Sequence, residues 1–117
     1  MRILVIDDEA LIVRTLTRLL RHHDVVGAHS GQAALSLLRE DNHFDGIFCD
    51  VRMPDANGVE LAAEISERWP HLRSKICMCS GSESHGGDLP RLDKPFSRDA
   101  LEDQVSRWDP DDEEAER

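Results

Sequence analysis

At 117 residues the chain is one domain, long enough to bury a core. Its 39% hydrophobic and 32% charged content suits a soluble globular protein, and no apolar run nears the roughly 20 residues that cross a bilayer. The net charge is −10, Tyr is absent, and neither a basic stripe nor an aromatic platform stands out, which argues against direct nucleic-acid binding.

Residues 2–6 are a short β-branched run that stops at Asp7-Asp8-Glu9, the pattern of a buried parallel strand. The run is too short for a signal peptide, so the chain is expected to be cytoplasmic. Residues 9–22 carry Ile12, Leu16, Leu19 and Leu20 at helical spacing. A second strand follows at 25–29, and Ser30 caps a helix containing Ala34, Leu35, Leu37 and Leu38. Residues 44–49 form a third strand that ends at Asp50, and 51–57 read as a loop around Pro54.

Asn57 or Gly58 opens a third helix that Pro70 ends. Residues 75–79 are a fourth strand ending at Ser80, and 81–88 are Gly/Ser-rich loop. A very short fifth strand lies within 89–93. Ser97 caps a last helix with Leu101, Val105 and Trp108 on one face. Residues 109–117 carry six acids and one Arg, and are expected to be a disordered tail or the stub of a linker after a domain of residues 1–108.

Three cysteines, Cys49, Cys77 and Cys79, fall in the strands. Their odd number and C-x-C spacing argue against a disulfide framework, a zinc site or a redox pair, and for small buried thiols. The six His share no ligand spacing and read as surface or helix-end residues.

Alternating strands and helices imply a parallel sheet covered on both faces, with its ligand site at the carboxyl ends of the strands. That edge would collect Asp7, Asp8, Asp50, Ser80 and Lys94. Carboxylates brought together repel one another, and a hard divalent cation resolves the conflict. Asp8 and Asp50 suit direct ligation and Asp7 ligation through water, with the backbone carbonyl of Arg52 completing the shell. Lys94 offers a compact charge for a phosphate oxygen, Ser80 a hydroxyl donor, and Pro95 a restraint on how Lys94 is aimed. This is equipment for phosphoryl transfer to an aspartate. Each piece also has a plainer reading: a helix N-terminal acid cluster, a turn-starting Asp, a Lys-Pro turn and a solvated Arg52.

Four segments in order, Val5-Ile6-Asp7-Asp8-Glu9, Asp50 to Gly58, Cys79-Ser80-Gly81 and Asp93-Lys94-Pro95-Phe96, resemble the receiver domain of bacterial two-component response regulators over residues 2–108. The resemblance implies a doubly wound, five-stranded parallel α/β sheet of flavodoxin-like order. It implies Asp50 as the phosphorylation site and Asp7 and Asp8 in a metal-binding pair for Mg²⁺ or Mn²⁺. Ser80, Gly81 and Lys94 would be the phosphate-binding and switch residues, and Pro95 a cis-peptide or turn candidate. It further implies a histidine kinase or phosphotransfer protein as donor, an unidentified downstream protein as receiver of the signal, no membrane partner, and no enzyme activity beyond the domain's own phosphorylation and dephosphorylation.

The chain departs from the family pattern between Ser80 and Lys94, where only 13 residues intervene. With Gly81, Gly86, Gly87 and Pro90 among them, the family's fourth helix is expected to be missing or reduced. Arg91 stands where the family places an aromatic switch residue. A monomer or weak dimer is therefore expected. Two other readings remain: a small Mg-dependent phosphohydrolase with an aspartate nucleophile, against which stands the absence of a second acid at Arg52, and a degenerate scaffold receiver, against which stand the intact acids, Ser80 and Lys94.

Overall fold

In chain order the elements are β1 (Arg2–Ile6), α1 (Ala10–Leu19), β2 (Asp24–Ala28), α2 (Gly31–Glu40), β3 (Gly46–Asp50), β4 (Arg52–Met53), β5 (Ala56–Asn57), α3 (Gly58–Arg68), a 3-10 helix (Pro70–Lys75), β6 (Ile76–Ser80), β7 (Arg91–Asp93) and α4 (Arg98–Trp108). They come from a computed structural model that describes residues 1–53, 56–80, 91–94 and 97–108, without the side chains of Ala56, Ser80, Arg91 and Asp93. Gly81, Pro95, the stretch expected to lack a helix, and the acidic residues 109–117 lie outside the described residues.

Five strands form one parallel sheet in the order β2-β1-β3-β6-β7. Side chains alternate across it. Ile3 and Val5 face α1 and α4, packing with Val13, Leu16, Leu20, Leu101, Val105 and Trp108. Leu4 and Ile6 face α2 and α3, packing with Ala34, Leu38, Leu61, Ala62 and Ile65. β3 and β6 are buried throughout their described side chains, which is why they read as continuous apolar runs. All three cysteines are buried and unpaired, as expected from their place in strands.

The helix starts follow local chemistry. The Ser30 side chain accepts from the Ala33 N–H at 3.0 Å, Asn57 from the Val59 N–H at 2.8 Å, and Ser97 from the Ala100 N–H at 3.1 Å. α1 ends three residues before the expected His22. Leu20 closes it through its N–H on the Leu16 carbonyl, and a turn leads into β2. β3 starts two residues later than expected and includes Asp50 as its last residue. Pro70 ends α3 as expected, then opens the 3-10 turn, where its missing N–H costs nothing. That turn takes Lys75 out of the fourth strand.

Two expectations are corrected. Residues 51–57 contain an antiparallel pair, β4 with β5, in the register Arg52↔Asn57 and Met53↔Ala56. Met53 is buried, so an apolar anchor folds the segment back on itself. There is also a basic stripe. Leu11, Arg14, Arg18 and Arg21 lie on one exposed face of α1 and the turn after it.

Trp108 anchors the last helix. Its ring meets Phe48 edge-on at a centroid distance of 5.0 Å. It also lies over Gly46, where a Cβ would collide with the indole. Trp108→Ala is expected to cost about 3–5 kcal/mol in urea unfolding. Gly46→Ala should cost a comparable amount. In the double variant the methyl enters vacated space, so the two losses should fall short of their sum; strict additivity would contradict the contact.

Candidate functional site

The chain runs outward from β1 to β2 and then crosses back to β3. The sheet's switch point therefore lies between the carboxyl ends of β1 and β3, where a doubly wound fold leaves a crevice. Asp7 and Asp8 follow β1, Asp50 ends β3, and Lys94 follows β7. Lys94 Nζ donates to Asp7 Oδ2 at 3.0 Å and to Asp50 Oδ1 at 3.2 Å, tying residues 87 and 44 positions apart. Asp7 and Asp50 are buried, whereas Asp8 is exposed at the mouth.

Carboxylate oxygens of Asp7, Asp8 and Asp50 lie within 4.8 Å of one another, and among the described residues this is the group that could hold a metal ion. The donor set is oxygen only and one of its members is open to solvent. That fits a hard divalent cation that keeps several waters. One ammonium leaves three carboxylates with an uncompensated negative charge.

The electrostatics follow from this crowding. Asp50 is pushed up to about 6 from 3.8 by burial and then by the charge of Asp7; the charge and hydrogen bond of Lys94, and the Arg52 N–H, oppose the rise. Burial alone would lower Lys94. Its hydrogen bond to Asp7 and the charges of Asp50 and Asp7 outweigh that and raise it, so it stays an ammonium. The thiol of Cys49, beneath the site, is pushed up to about 12 by burial, then by Asp50 and Asp7, and is inert.

Local structure fixes each acid. Asp7 Oδ1 accepts the Glu9 N–H at 2.9 Å while Oδ2 takes Lys94, so this acid braces the start of α1 as well as the site. Asp7 therefore serves the start of α1 and also stands in the group of converged acids. Asp50 Oδ1 accepts the Arg52 N–H at 3.3 Å in addition to Lys94. Both hydrogen bonds described for Asp50 fall on that one oxygen. The Arg52 residue itself is exposed.

Ser80 ends β6, with its backbone paired to Asp93, next to the Asp50↔Cys79 pair. Arg91 opens β7 opposite Met78.

One positioning residue was missed. A Cβ on Gly58 would collide with the carbonyl group of Asp50, and the Gly58 N–H donates to the Val51 carbonyl at 2.8 Å. Only glycine lets α3 start against the backbone of Asp50. Its place eight residues after Asp50 was visible in the sequence, but the backbone contact was not. The histidines hold no metal cluster among the described residues: His43 meets Asp41, and His71 meets the Asn42 carbonyl.

The sequence profile described as the response regulator receiver domain matches residues 3–106. The response regulator protein FleR of Pseudomonas aeruginosa is 32% identical over 114 residues, covering 91% of this chain and 24% of that protein. The transcriptional regulatory protein ZraR of Salmonella typhimurium is 33% identical over 113 residues, covering 90% and 25%. The chain thus spans about a quarter of the length of these relatives. Among solved structures, a receiver domain protein from Clostridium thermocellum superposes with a TM-score of 0.82 at 25% identity, covering 92% of both chains. The response regulator protein TrrA from Thermotoga maritima, in complex with Mg(2+)-BeF, gives 0.79 at 27% identity, covering 92% of this chain and 97% of that one.

The raised Asp50 makes the metal-free fold pH-dependent. A carboxyl with a folded value near 6 and an unfolded value near 3.8 contributes stability below about pH 4 that is lost as pH rises through 6. Without divalent cation, Asp50→Asn is expected to stabilise the protein at pH 7.5 by about 1–2 kcal/mol, allowing for solvent screening at the rim. It should also remove the decline between pH 4 and 7.5. Urea titrations across that range in a chelator would show an unchanged decline in the variant if Asp50 were not its source.

Proposed function

Because the chain belongs to the response regulator receiver family, whose profile spans residues 3–106, we propose that Asp50 is its phosphoryl acceptor in two-component signalling. Receiver domains are phospho-accepting signalling switches. The observation that carries the assignment to Asp50 is its position: a buried carboxylate at the end of β3, within 4.8 Å of two further acids and held by Lys94.

The donor is a phosphohistidine on a histidine kinase or phosphotransfer protein. A carboxylate oxygen of Asp50 attacks phosphorus, the O–P bond forms as the P–N bond breaks, and the electron pair leaves with the imidazole. The oxygen outside the described hydrogen bonds is the free nucleophile, while Lys94 and the Arg52 N–H hold the other. Lys94 then moves from the carboxylates to a phosphoryl oxygen, keeping its charge close to the charge that has moved.

Asp7, Asp8 and Asp50 would hold Mg²⁺ or Mn²⁺ with the carbonyl of Arg52. When bound, the cation neutralises the acids and the developing phosphoryl charge. Ser80, at the end of the adjacent strand, supplies a hydroxyl to a second oxygen, with Gly81 allowing close backbone approach and Pro95 restraining Lys94. Arg91 at the start of β7 replaces an aromatic switch, so the signal leaves the site without a ring flip. Residues 1–108 constitute the module, working in the cytoplasm as a monomer or weak dimer upstream of another protein. A small-molecule phosphohydrolase fits less well, because the position two residues after Asp50 holds the exposed Arg52 rather than a second acid.

Incubation with Mg²⁺ and acetyl phosphate should add one phosphoryl group to the intact mass of the wild type and none to Asp50→Asn. Chelation of divalent cations should abolish the gain. Lys94→Ala should slow it on the order of 100-fold, the usual cost of removing one aimed donor. Labelling of Asp50→Asn equal to wild type would refute the assignment, and no labelling with any donor would favour a scaffold.

A further inference from the structure

The described surface carries a charge pattern that the phosphoryl site does not use. Leu11, Arg14, Arg18 and Arg21 line up on the solvent face of α1 and its following turn. The spacing of three, four and three residues keeps them on one stripe. Leu11 is the one large hydrophobic exposed among the described residues, at 68%. None of the three arginines forms an ion pair or hydrogen bond with a described residue, whereas Arg2, Arg68 and Arg107 all do. A face with three free positive charges is anomalous on a chain with a net charge of −10.

The chain contains a complementary segment. Residues 109–117, Asp-Pro-Asp-Asp-Glu-Glu-Ala-Glu-Arg, hold six acids against one Arg, a net −5. They follow Trp108 directly. α1 and α4 pack on the same face of the sheet in one core cluster, and Trp108 sits over Gly46, the first residue of β3. α1 descends from the site edge towards the start of β2, so both helices end at the same edge of the sheet. The chain therefore leaves α4 at the edge where Arg18 and Arg21 lie.

We propose that the acidic segment 109–117 docks in cis along the Arg21–Arg18–Arg14 face of α1. Nine extended residues span about 30 Å, twice the rise of about 15 Å from Arg21 back to Leu11. Each exposed pair contributes little alone, but tethering gives the segment an effective concentration in the millimolar range. Docking would screen this face from acidic partners and could be undone by salt. Among the described helices, Asp103 of α4 and Glu64 of α3 are already paired with Arg107 and Arg68.

The test uses the full chain with a spin label on Ala115→Cys; the three native thiols are buried and stay unlabelled. Tethering alone is expected to broaden only amides near the end of α4 and Arg21, in every sample. Docking should extend the effect to Arg14 and Leu11, with at least a two-fold loss of amide intensity there and none on the exposed side of α3. The loss should disappear in 0.5 M NaCl, where the Debye length is about 4 Å. It should also disappear when the six acids of 109–117 become Asn or Gln, and in the Arg14→Gln/Arg18→Gln/Arg21→Gln chain. Broadening that stops near Arg21, or survives salt and both sets of substitutions, would overturn the proposal. So would broadening of α1 in an isotope-labelled chain mixed with a separate spin-labelled one, since the occupant would then be a second copy.

Discussion

The structure depends on a repulsion that it does not fully cancel. Three carboxylates, those of Asp7, Asp8 and Asp50, are brought within 4.8 Å by the ends of β1 and β3, and one ammonium, from Lys94, reaches two of them. A fold selected for stability alone would separate these acids or replace one. Here burial and Asp7 together raise Asp50 far from its ordinary value, and the cost is carried by two well-packed faces of the sheet. That excess negative charge is the physical ground on which a divalent cation and a transferred phosphoryl group are proposed for this site.

Holding the acids at that spacing is the work of backbone contacts more than of side chains. β1 and β3 are adjacent parallel strands, with Ile6 opposite Cys49, so Asp7 and Asp50 emerge side by side. Gly58 then brings the start of α3 against the carbonyl of Asp50, and the β4–β5 pair closes the intervening segment over buried Met53. Asp50 is thus fixed from its own strand, from the segment after it and from Lys94. Asp7 is held by both oxygens, one on the Glu9 N–H and one on Lys94, which couples the start of α1 to the site.

The opposite edge of the sheet is organised differently. There Arg2 pairs with Asp41 at 2.6 Å, lies 4.2 Å from the centre of the Phe44 ring and donates its N–H to Asp45 at 2.8 Å. His43, on Asp41, helps to hold that acid down near 2, so it stays ionised and bonded to Arg2. Arg2 is thus shared between Asp41 and, at 4.0 Å, Asp24, at an edge open to solvent. At the site edge Asp7 and Asp50 are buried, and the charge they share with Asp8 exceeds what Lys94 supplies.

The sequence alone determined the alternation of strands and helices, the helix-capping residues Ser30 and Ser97, and the convergence of Asp7, Asp8, Asp50 and Lys94. Each rests on short-range information: apolar period, caps, and acids that stop apolar runs. Arg14, Arg18 and Arg21 also stand at helical spacing in the sequence, but their exposure on one face is set by which side of α1 packs on the sheet. Tertiary structure alone decided that Lys94 shares its protons between Asp7 and Asp50, that Gly58 must lack a side chain, that Trp108 needs Gly46 beneath it, and that burial beside Asp7 raises Asp50. Those facts depend on atoms far apart in the chain meeting at a few ångströms, and distances of that kind have no periodicity from which a single sequence can be read.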